Sequence, residues 1–135
     1  MAPLLNLRHL SAALEVRHLG SISRATETVY LSQSAIPQGL KKLERELNFE
    51  IVARSHDGLE PTPAGDIFLN RTQTAINFLW RMDSLLGQRV NKAAPLYRLF
   101  TASQLRALMT VVEHGRYTLA ARHQKMDQPT VHRAV

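Results

Sequence analysis

The sequence predicts a mainly α-helical protein: a winged helix-turn-helix, then a long dimerisation (linker) helix, then a second, partial helix-turn-helix. Apolar residues recur at spacings of three and four through the first 47 residues, which is typical of short amphipathic helices. Residues 50–61 change to a strand–turn–strand pattern. Sliding the sequence by 95 positions places Gly20 on Gly115 and aligns apolar residues around both glycines, which indicates an internal repeat.

The first two predicted helices are separated by a glycine. The apolar stripe of the first helix consists of Leu7, Leu10 and Leu14. Gly20 is expected to end this helix, because glycine readily adopts the left-handed conformation that closes many helices. Ser21 or Ser23 can cap the second helix. The apolar face of that helix consists of Ile22, Ala25 and Val29.

The third predicted helix has the clearest stripe, which consists of Ile36, Leu40, Leu43 and Leu47. Pro37 is compatible with this helix only in its first turn, where a missing N–H has no intrahelical partner. The helix should therefore begin close to Gln33. Gly39 lies in its interior at a cost of about 1 kcal/mol relative to alanine.

A short hairpin follows the third helix and makes the fold a winged one. Residues 50–54 predict a strand, Asp57 and Gly58 predict the hairpin tip, and residues 59–61 predict the returning strand. Two strands in this place form a wing beside the third helix.

A long helix begins at Thr62 and Pro63, which are a cap residue and a proline at the first helical position. Its pattern continues to about Val90, which corresponds to roughly 40 Å. Side chains suited to a coiled-coil seam alternate steps of four and three: Phe68, Thr72, Ala75, Leu79, Met82 and Leu86. The alternative is a lone helix folded back on the core, but pairing with the same helix of a second subunit is favoured, giving a homodimer or a higher oligomer.

The repeat divides the chain into four expected parts: a winged domain at 1–62, a linker helix at 63–90, a connection at 91–95, and a second unit at 96–135. Identical pairs under the offset are Leu10 and Leu105, Ala12 and Ala107, Val16 and Val111, Ala25 and Ala120, and Gln33 and Gln128. The second copy reaches only the beginning of its third helix, so we expect the 135 residues to be part of a longer protein.

Charge and composition narrow the class of partner. There are 17 Lys and Arg against 11 Asp and Glu, which gives a net charge of +6. This excess favours nucleic acid first and an anionic membrane surface second. Cysteine is absent, which excludes thiolate zinc sites and disulfides. Neither a secretory signal nor an apolar run long enough to span a membrane is present, so a cytoplasmic location is expected.

The residues offer no basis for catalysis or metal binding, and the sequence predicts neither an enzyme nor a cofactor. Ser55, His56 and Asp57 are the three residue types of a hydrolytic triad, but adjacent residues at a hairpin tip cannot converge as a triad must. His114, His123 and His132 occur singly, without the spacing of paired metal ligands.

Several motifs resemble LysR-type transcriptional regulators. Residues 31–36 read Leu-Ser-Gln-Ser-Ala-Ile and residues 40–44 read Leu-Lys-Lys-Leu-Glu, with Leu47 after them. Arg54 and the Thr-Pro-Ala-Gly run at 62–65 fit the same pattern. The second copy repeats the signature at 128–135 as Gln-Pro-Thr-Val-His-Arg-Ala-Val.

The resemblance implies a winged helix-turn-helix, dimerisation through the linker helix and regulation of nearby genes. It also implies an effector-binding domain at the C-terminal side, which these residues do not supply. Two features depart from the family pattern. Two heads in one chain are atypical, and Pro37 and Gln38 stand where the family commonly has a serine and a basic residue.

Double-stranded DNA is therefore the expected partner, read by the face of the third helix opposite its apolar stripe. Base contacts are expected from Gln33, Ser34, Pro37 and Gln38. Phosphate contacts are expected from Ser32, Lys41, Lys42 and Arg54. The corresponding residues of the second unit are Gln128, Pro129, His132 and Arg133.

Two alternatives remain open at this stage. The second unit could be a protein-interaction module that stabilises the dimer instead of a DNA reader. The whole chain could also coat nucleic acid without sequence preference, in which case its affinity should fall with salt equally for every sequence.

Overall fold

The structure is a computed structural model that describes residues 5–28, 32, 34–86 and 100–116, together with the single residues 118, 122, 129, 132 and 133. It divides into two compact units, residues 1–98 and 99–135, which are taken one at a time below. The first contains α1 (Leu7–Leu19), α2 (Ile22–Thr28), α3 (Ala35–Leu47), β1 (Val52–Ser55), β2 (Gly58–Pro61) and α4 (Pro63–Leu86). The second contains α5 (Ala102–His114). The winged helix-turn-helix predicted from the sequence is confirmed.

Helix α1 has well-defined ends. The side chain of Asn6 accepts a hydrogen bond from the N–H of Arg8 at 2.9 Å and caps the first turn. Gly20 closes the helix with φ 62°, and its N–H donates to the carbonyl of Val16 at 2.8 Å. The carbonyl of Gly20 then accepts from the N–H of Leu59 at 3.1 Å. The turn after α1 is thus bonded directly to the wing.

The core of the first unit lies where the three short helices meet the wing and the start of α4. Its largest fully buried side chains are Ile36, Leu43, Ile51, Leu69 and Val16. These residues come from α1, α3, α4 and the entry to β1. One contiguous cluster therefore joins the helical part of the domain to the linker helix.

Helix α3 begins at Ala35, two positions after the expected start, and buries Ile36, Leu40 and Leu43 as the apolar stripe predicts. Gly39 has a packing role, because a Cβ at this position would lie 2.9 Å from the ring of His9. The imidazole of α1 can lie against the α3 backbone only because that side chain is missing. Burial, and next the charge of Lys42, lower the pKa of His9 below its usual 6.5.

The wing is a two-stranded antiparallel hairpin in which Val52 pairs with Pro61 and Ser55 with Gly58. The turn residues are His56 and Asp57, so the tip lies one residue earlier than the sequence predicted. Gly58 opens the returning strand with φ 131°, and a Cβ there would lie 2.6 Å from the carbonyl oxygen of Gly20. A side chain at position 58 would collide with the turn after α1, because the wing passes close to that turn. The returning strand therefore begins with a glycine.

Helix α4 starts as its cap signal predicts. The hydroxyl of Thr62 accepts from the N–H of Gly65 at 2.9 Å and donates to the carbonyl of Glu50 at 2.6 Å. The helix runs for 24 residues to Leu86, or about 36 Å. Residues 87–90 of the predicted helix and the connection at 91–95 lie outside the described residues.

The predicted seam of α4 needs correction, because part of it faces the chain's own core. Thr72 is 5% exposed, and Phe68 and Leu79 pack against the core cluster. Ala75 and Leu86 are exposed and Met82 is half-buried. The inward row is Gly65, Leu69, Thr72 and Ile76. The sequence stripe therefore straddles two faces of the helix, and only its outer members are available to a second subunit.

In the second unit, α5 repeats α1 under the 95-residue offset. Both helices have 13 residues, both are capped by a polar side chain, and both end at a glycine with positive φ. Gly115 has φ 66°, and its N–H donates to the carbonyl of Val111 at 2.8 Å, as Gly20 does to Val16. Thr101 and Gln104 form a capping box at the start of α5. Beyond residue 116 only single residues are described, and Gln128 lies outside them.

Candidate nucleic-acid interface

The outward face of α3 carries one row of exposed polar and basic side chains. The row consists of Ser34, Gln38, Lys41 and Arg45. Their spacing of four, three and four positions keeps them on one side of a helix with 3.6 residues per turn. Ile36, Leu40 and Leu43 are buried on the opposite side. The packing of α3 thus presents one hydroxyl group, one amide group and two cationic groups along one side of the helix.

Other predicted residues lie beside this row. Pro37 is half-buried at its edge, and Lys42 is exposed near His9, whose pKa it helps to lower. Ser32 is exposed at the start of the helix, where its carbonyl accepts from the N–H of Ala35 at 2.9 Å. Gln33 lies outside the described residues.

The wing contributes a second basic position. Arg54 is exposed on β1 and lines an open groove of about 380 Å³ between the wing and the turn after α1. Ser55 and His56 line the same groove. The Ser55 hydroxyl accepts from the N–H of Asp57 at 3.2 Å, so it stabilises the turn.

Glu44 ties α3 to the wing. Its Oε1 accepts from the N–H of Ile51 at 2.9 Å and lies 3.5 Å from the N of Val52. Since Ile51 is fully buried, this carboxylate satisfies a backbone donor that water cannot reach. The bond fixes where the wing leaves the recognition helix.

A second polar link joins α1 to α4. The guanidinium of Arg17 bonds to Asp66 Oδ1 at 2.8 Å through Nη2 and to Asn70 Oδ1 at 2.8 Å through Nη1. Asn70 Nδ2 in turn donates to Asp66 Oδ2 at 3.2 Å. The three side chains form a closed network that fixes the direction in which α4 leaves the domain.

Arg45 and Glu44 are site residues that the sequence reasoning missed. Arg45 could have been found, because it is four positions after Lys41 and seven after Gln38 and so extends their row. The role of Glu44 could not be predicted in this way. Its partners are backbone N–H groups seven and eight residues later, and their positions depend on the tertiary fold.

In the second unit, Pro129, His132 and Arg133 are exposed and helical. The Nε of Arg133 donates to the carbonyl of Pro129 at 3.3 Å, four positions earlier. These three predicted residues therefore share one surface.

The described ranges of the chain contain neither a candidate metal site nor a candidate membrane-spanning helix. There, no cluster of three or more histidine and acidic side chains is placed to bind a metal ion. Nor does any helix in those ranges have both the length and the apolar character to cross a membrane.

The comparisons with known proteins all indicate bacterial regulatory proteins. Residues 7–66 match the family described as bacterial regulatory helix-turn-helix protein, lysR family. The chain is 33% identical over 130 residues to the HTH-type transcriptional regulator GalR of Pseudomonas putida, covering 96% of this chain and 32% of that protein. It is 34% identical over 71 residues to the small neutral protease regulatory protein of Streptomyces coelicolor, covering 53% and 22% respectively. The chain thus spans a third or less of these relatives.

Among solved structures, this chain is similar to the CbnR domain in a structure described as that of a CbnR_DBD–DNA complex. The TM-score is 0.53 at 28% identity, covering 58% of this chain and 90% of that one. The family match, together with the similarity to this domain, identifies residues 7–66 as a helix-turn-helix domain of the LysR family of bacterial regulatory proteins.

Proposed function

We propose that this chain is the DNA-binding part of a sequence-specific transcription regulator, with α3 as its recognition helix. The observation that carries the proposal is the exposed row on α3, which is aligned by the burial of the opposite face. The major groove of B-DNA admits an α-helix, and its base edges present the donors and acceptors that such a row can read.

The row divides into base-reading and phosphate-binding groups. Gln38 and Gln33, which is five positions earlier in the sequence, pair with adenine through their amides, and Ser34 bonds to base edges with little preference. Pro37 makes an apolar contact such as one to a thymine methyl. Phosphate contacts come from Ser32, Lys41, Lys42 and Arg54, to which we add Arg45 because it is exposed in the same row.

The relatives support regulation as the role of the whole protein. The Pseudomonas putida protein is named a transcriptional regulator, and the similar CbnR domain was solved with DNA. On this proposal the chain is not an enzyme, needs no cofactor or metal, and works in the bacterial cytoplasm, where its DNA is. An effector would act through a domain outside these residues.

The outer face of α4 supports a homodimer. Ile67, Phe78 and Leu85 are exposed on the side opposite the inward row. Pairing through this face would bury them and place two recognition helices on successive major grooves, about 34 Å apart or a multiple of that. The expected operator is therefore a pseudo-palindrome.

The role of the second unit is a separate question, for which the domain layout 1–62, 63–90, 91–95 and 96–135 remains a proposal. Helix α5 repeats α1 in length, caps and closing turn, and the Pseudomonas putida relative aligns over 130 residues, well into this unit. We propose it as a second DNA-binding head, with Gln128, Pro129, His132 and Arg133 as its contacts. The second candidate is a protein-interaction module, which the exposed apolar residues of α5 favour.

The test is selection of bound duplexes from a random DNA library at near-physiological salt, followed by sequencing. We expect a dyad with two fixed half-sites. Gln38→Ala should relax the preference at one position of each half-site, with a loss of about 1–3 kcal/mol. Lys41→Ala is the matched variant one turn away, and it should weaken binding evenly across sequences and reduce the salt slope by about 1.

Two outcomes decide between the candidates. A pool that stays random, with ordinary salt-sensitive binding, would contradict the proposed function and leave a protein that coats DNA. Fixed bases outside the dyad that disappear with Arg133→Ala would assign DNA reading to the second unit. Their absence, with unchanged affinity of that variant, would leave the interaction module.

A further inference from the structure

Helix α5 has an exposed apolar face that its own unit does not cover. Leu108 is 41% exposed, Met109 61% and Val112 74%. Together with the half-buried Leu105 they are spaced by three, four and seven positions, so they share one side of the helix. The inward side of α5 carries Ala107 and Thr110 instead. We call the four residues 105, 108, 109 and 112 the α5 face.

The same positions in α1 are less exposed, and one of them contacts another helix. Under the 95-residue offset the α5 face corresponds to Leu10, Ala13, Leu14 and Arg17. Ala13 is 0% exposed and Leu14 is 4% exposed. Arg17 bonds directly to Asp66 and Asn70 of α4. In the first unit, therefore, this side of the helix holds two buried side chains and one residue, Arg17, that bonds to α4.

Two substitutions indicate that a counterpart of α4 would have a different chemistry. Arg17, which needs an acidic partner, is replaced by Val112 in the repeat, and Ala13 by the larger Leu108. The α5 face is thus more apolar than its counterpart. It suits a helix that presents aliphatic side chains and has no need of a carboxylate at the position of Asp66.

We infer that the α5 face is the docking site of an amphipathic helix of the same polypeptide, which follows the second unit as α4 follows the first. By the offset, this helix would begin about 95 positions after α4. The Pseudomonas putida relative, which aligns with 96% of this chain, has more than half of its length outside the alignment, so proteins of this kind have chain to supply it. The inference concerns packing within the polypeptide and stands apart from the DNA-binding proposal.

The test compares the 135-residue chain with the full-length product of its gene. The 135 residues contain no cysteine, so Val112→Cys gives a single reactive thiol on the α5 face. Ser103→Cys is the matched control, because Ser103 is exposed on another side of the same helix and corresponds to Arg8, which is exposed in α1. Labelling by a maleimide is followed over time by mass spectrometry of the peptide that contains the new cysteine.

We expect Val112→Cys to react at least about tenfold more slowly in the full-length protein, because a docked helix must open before the thiol is reached. Ser103→Cys should react equally in both. Equal labelling of Val112→Cys in the two proteins would overturn the inference.

The identity of the covering segment is read by a photo-reactive benzophenone side chain placed at Met109 in the full-length protein. A cross-link to a peptide beyond residue 135 of the same chain is the expected product. A cross-link to another subunit, or labelling of the 135-residue chain that slows as its concentration rises, would show that a second copy covers the face and would refute the inference.

Discussion

At Gly65, two parts of the backbone lie close together. It lies in the first turn of α4, and a Cβ at this position would overlap the carbonyl oxygen of Ile51 and lie 2.9 Å from its Cα. The N–H of Thr62 donates to the same carbonyl at 3.0 Å. The start of the linker helix is thus held against the entry to the wing, and only glycine leaves room for the contact.

Gly65→Ala should lower the free energy of unfolding by at least about 2 kcal/mol, because a methyl group there displaces backbone that no rotamer change can move. Urea denaturation measures this. Ala64→Ser changes an exposed neighbour in the same turn and should stay within about 0.5 kcal/mol of the parent. If Gly65→Ala is as stable as Ala64→Ser, the close approach of α4 to Ile51 is wrong.

At the scale of elements, the bond from Glu44 makes the wing an extension of α3. A hairpin of two four-residue strands is short and relies on neighbouring elements for its position. The carbonyl of Gly20 holds the hairpin from α1, and the carboxylate of Glu44 holds its first residues from α3. The wing is therefore hydrogen-bonded both to α3 and to the turn after α1.

Glu44→Ala should cost about 1–3 kcal/mol of stability, because it leaves the N–H of Ile51 buried without an acceptor. Glu46→Ala, an exposed position on the same helix, is the matched control and should have little effect. Urea denaturation gives the stability, and amide exchange should be faster at Ile51 in the first variant alone. Equal behaviour of the two variants would contradict the role given to Glu44.

The polar network of Arg17, Asp66 and Asn70 affects the direction of α4 more than it affects the free energy of unfolding. The side chains of Arg17 and Asp66 are 25% and 50% exposed, so their ion pair is screened by solvent and worth at most about 1 kcal/mol. Three hydrogen bonds at fixed distances nevertheless leave α4 little freedom to rotate about the domain.

At the scale of the whole molecule, the proposed homodimer depends on the outer face of α4. Leu85 is 82% exposed on the described chain, so replacing it does not disturb the folded domain. Leu85→Asp should raise the dissociation constant of the dimer at least about tenfold, since a charge would be buried in the interface without a partner. Sedimentation equilibrium measures the constant.

Ser84→Asp is the matched control, because it adds the same charge one position away on a different side of the helix. It should leave the constant nearly unchanged. Equal dissociation of the two variants, or a parent chain that is monomeric at all concentrations, would contradict dimerisation through this face.

The sequence by itself determined the features that depend on neighbouring residues. The positive φ at Gly20 and Gly115, the cap at Thr62 and the buried stripe of α3 follow from local conformational preferences and a single period. The row of Ser34, Gln38 and Lys41 follows too, because its position is set by the stripe opposite. Caps, glycine turns and apolar stripes can be predicted from the sequence because each depends only on residues within a few turns of helix.

Only the tertiary structure decided which side of α4 faces inward and where the wing turns. Apolar side chains lie on several sides of α4, including Phe68, Leu69, Phe78 and Leu85, so their periodicity is compatible with more than one inward face. The choice is made by the contact of Gly65 with Ile51 and by the network around Arg17. Both join residues far apart in the sequence, and their energies depend on distances that exist only after the chain has folded.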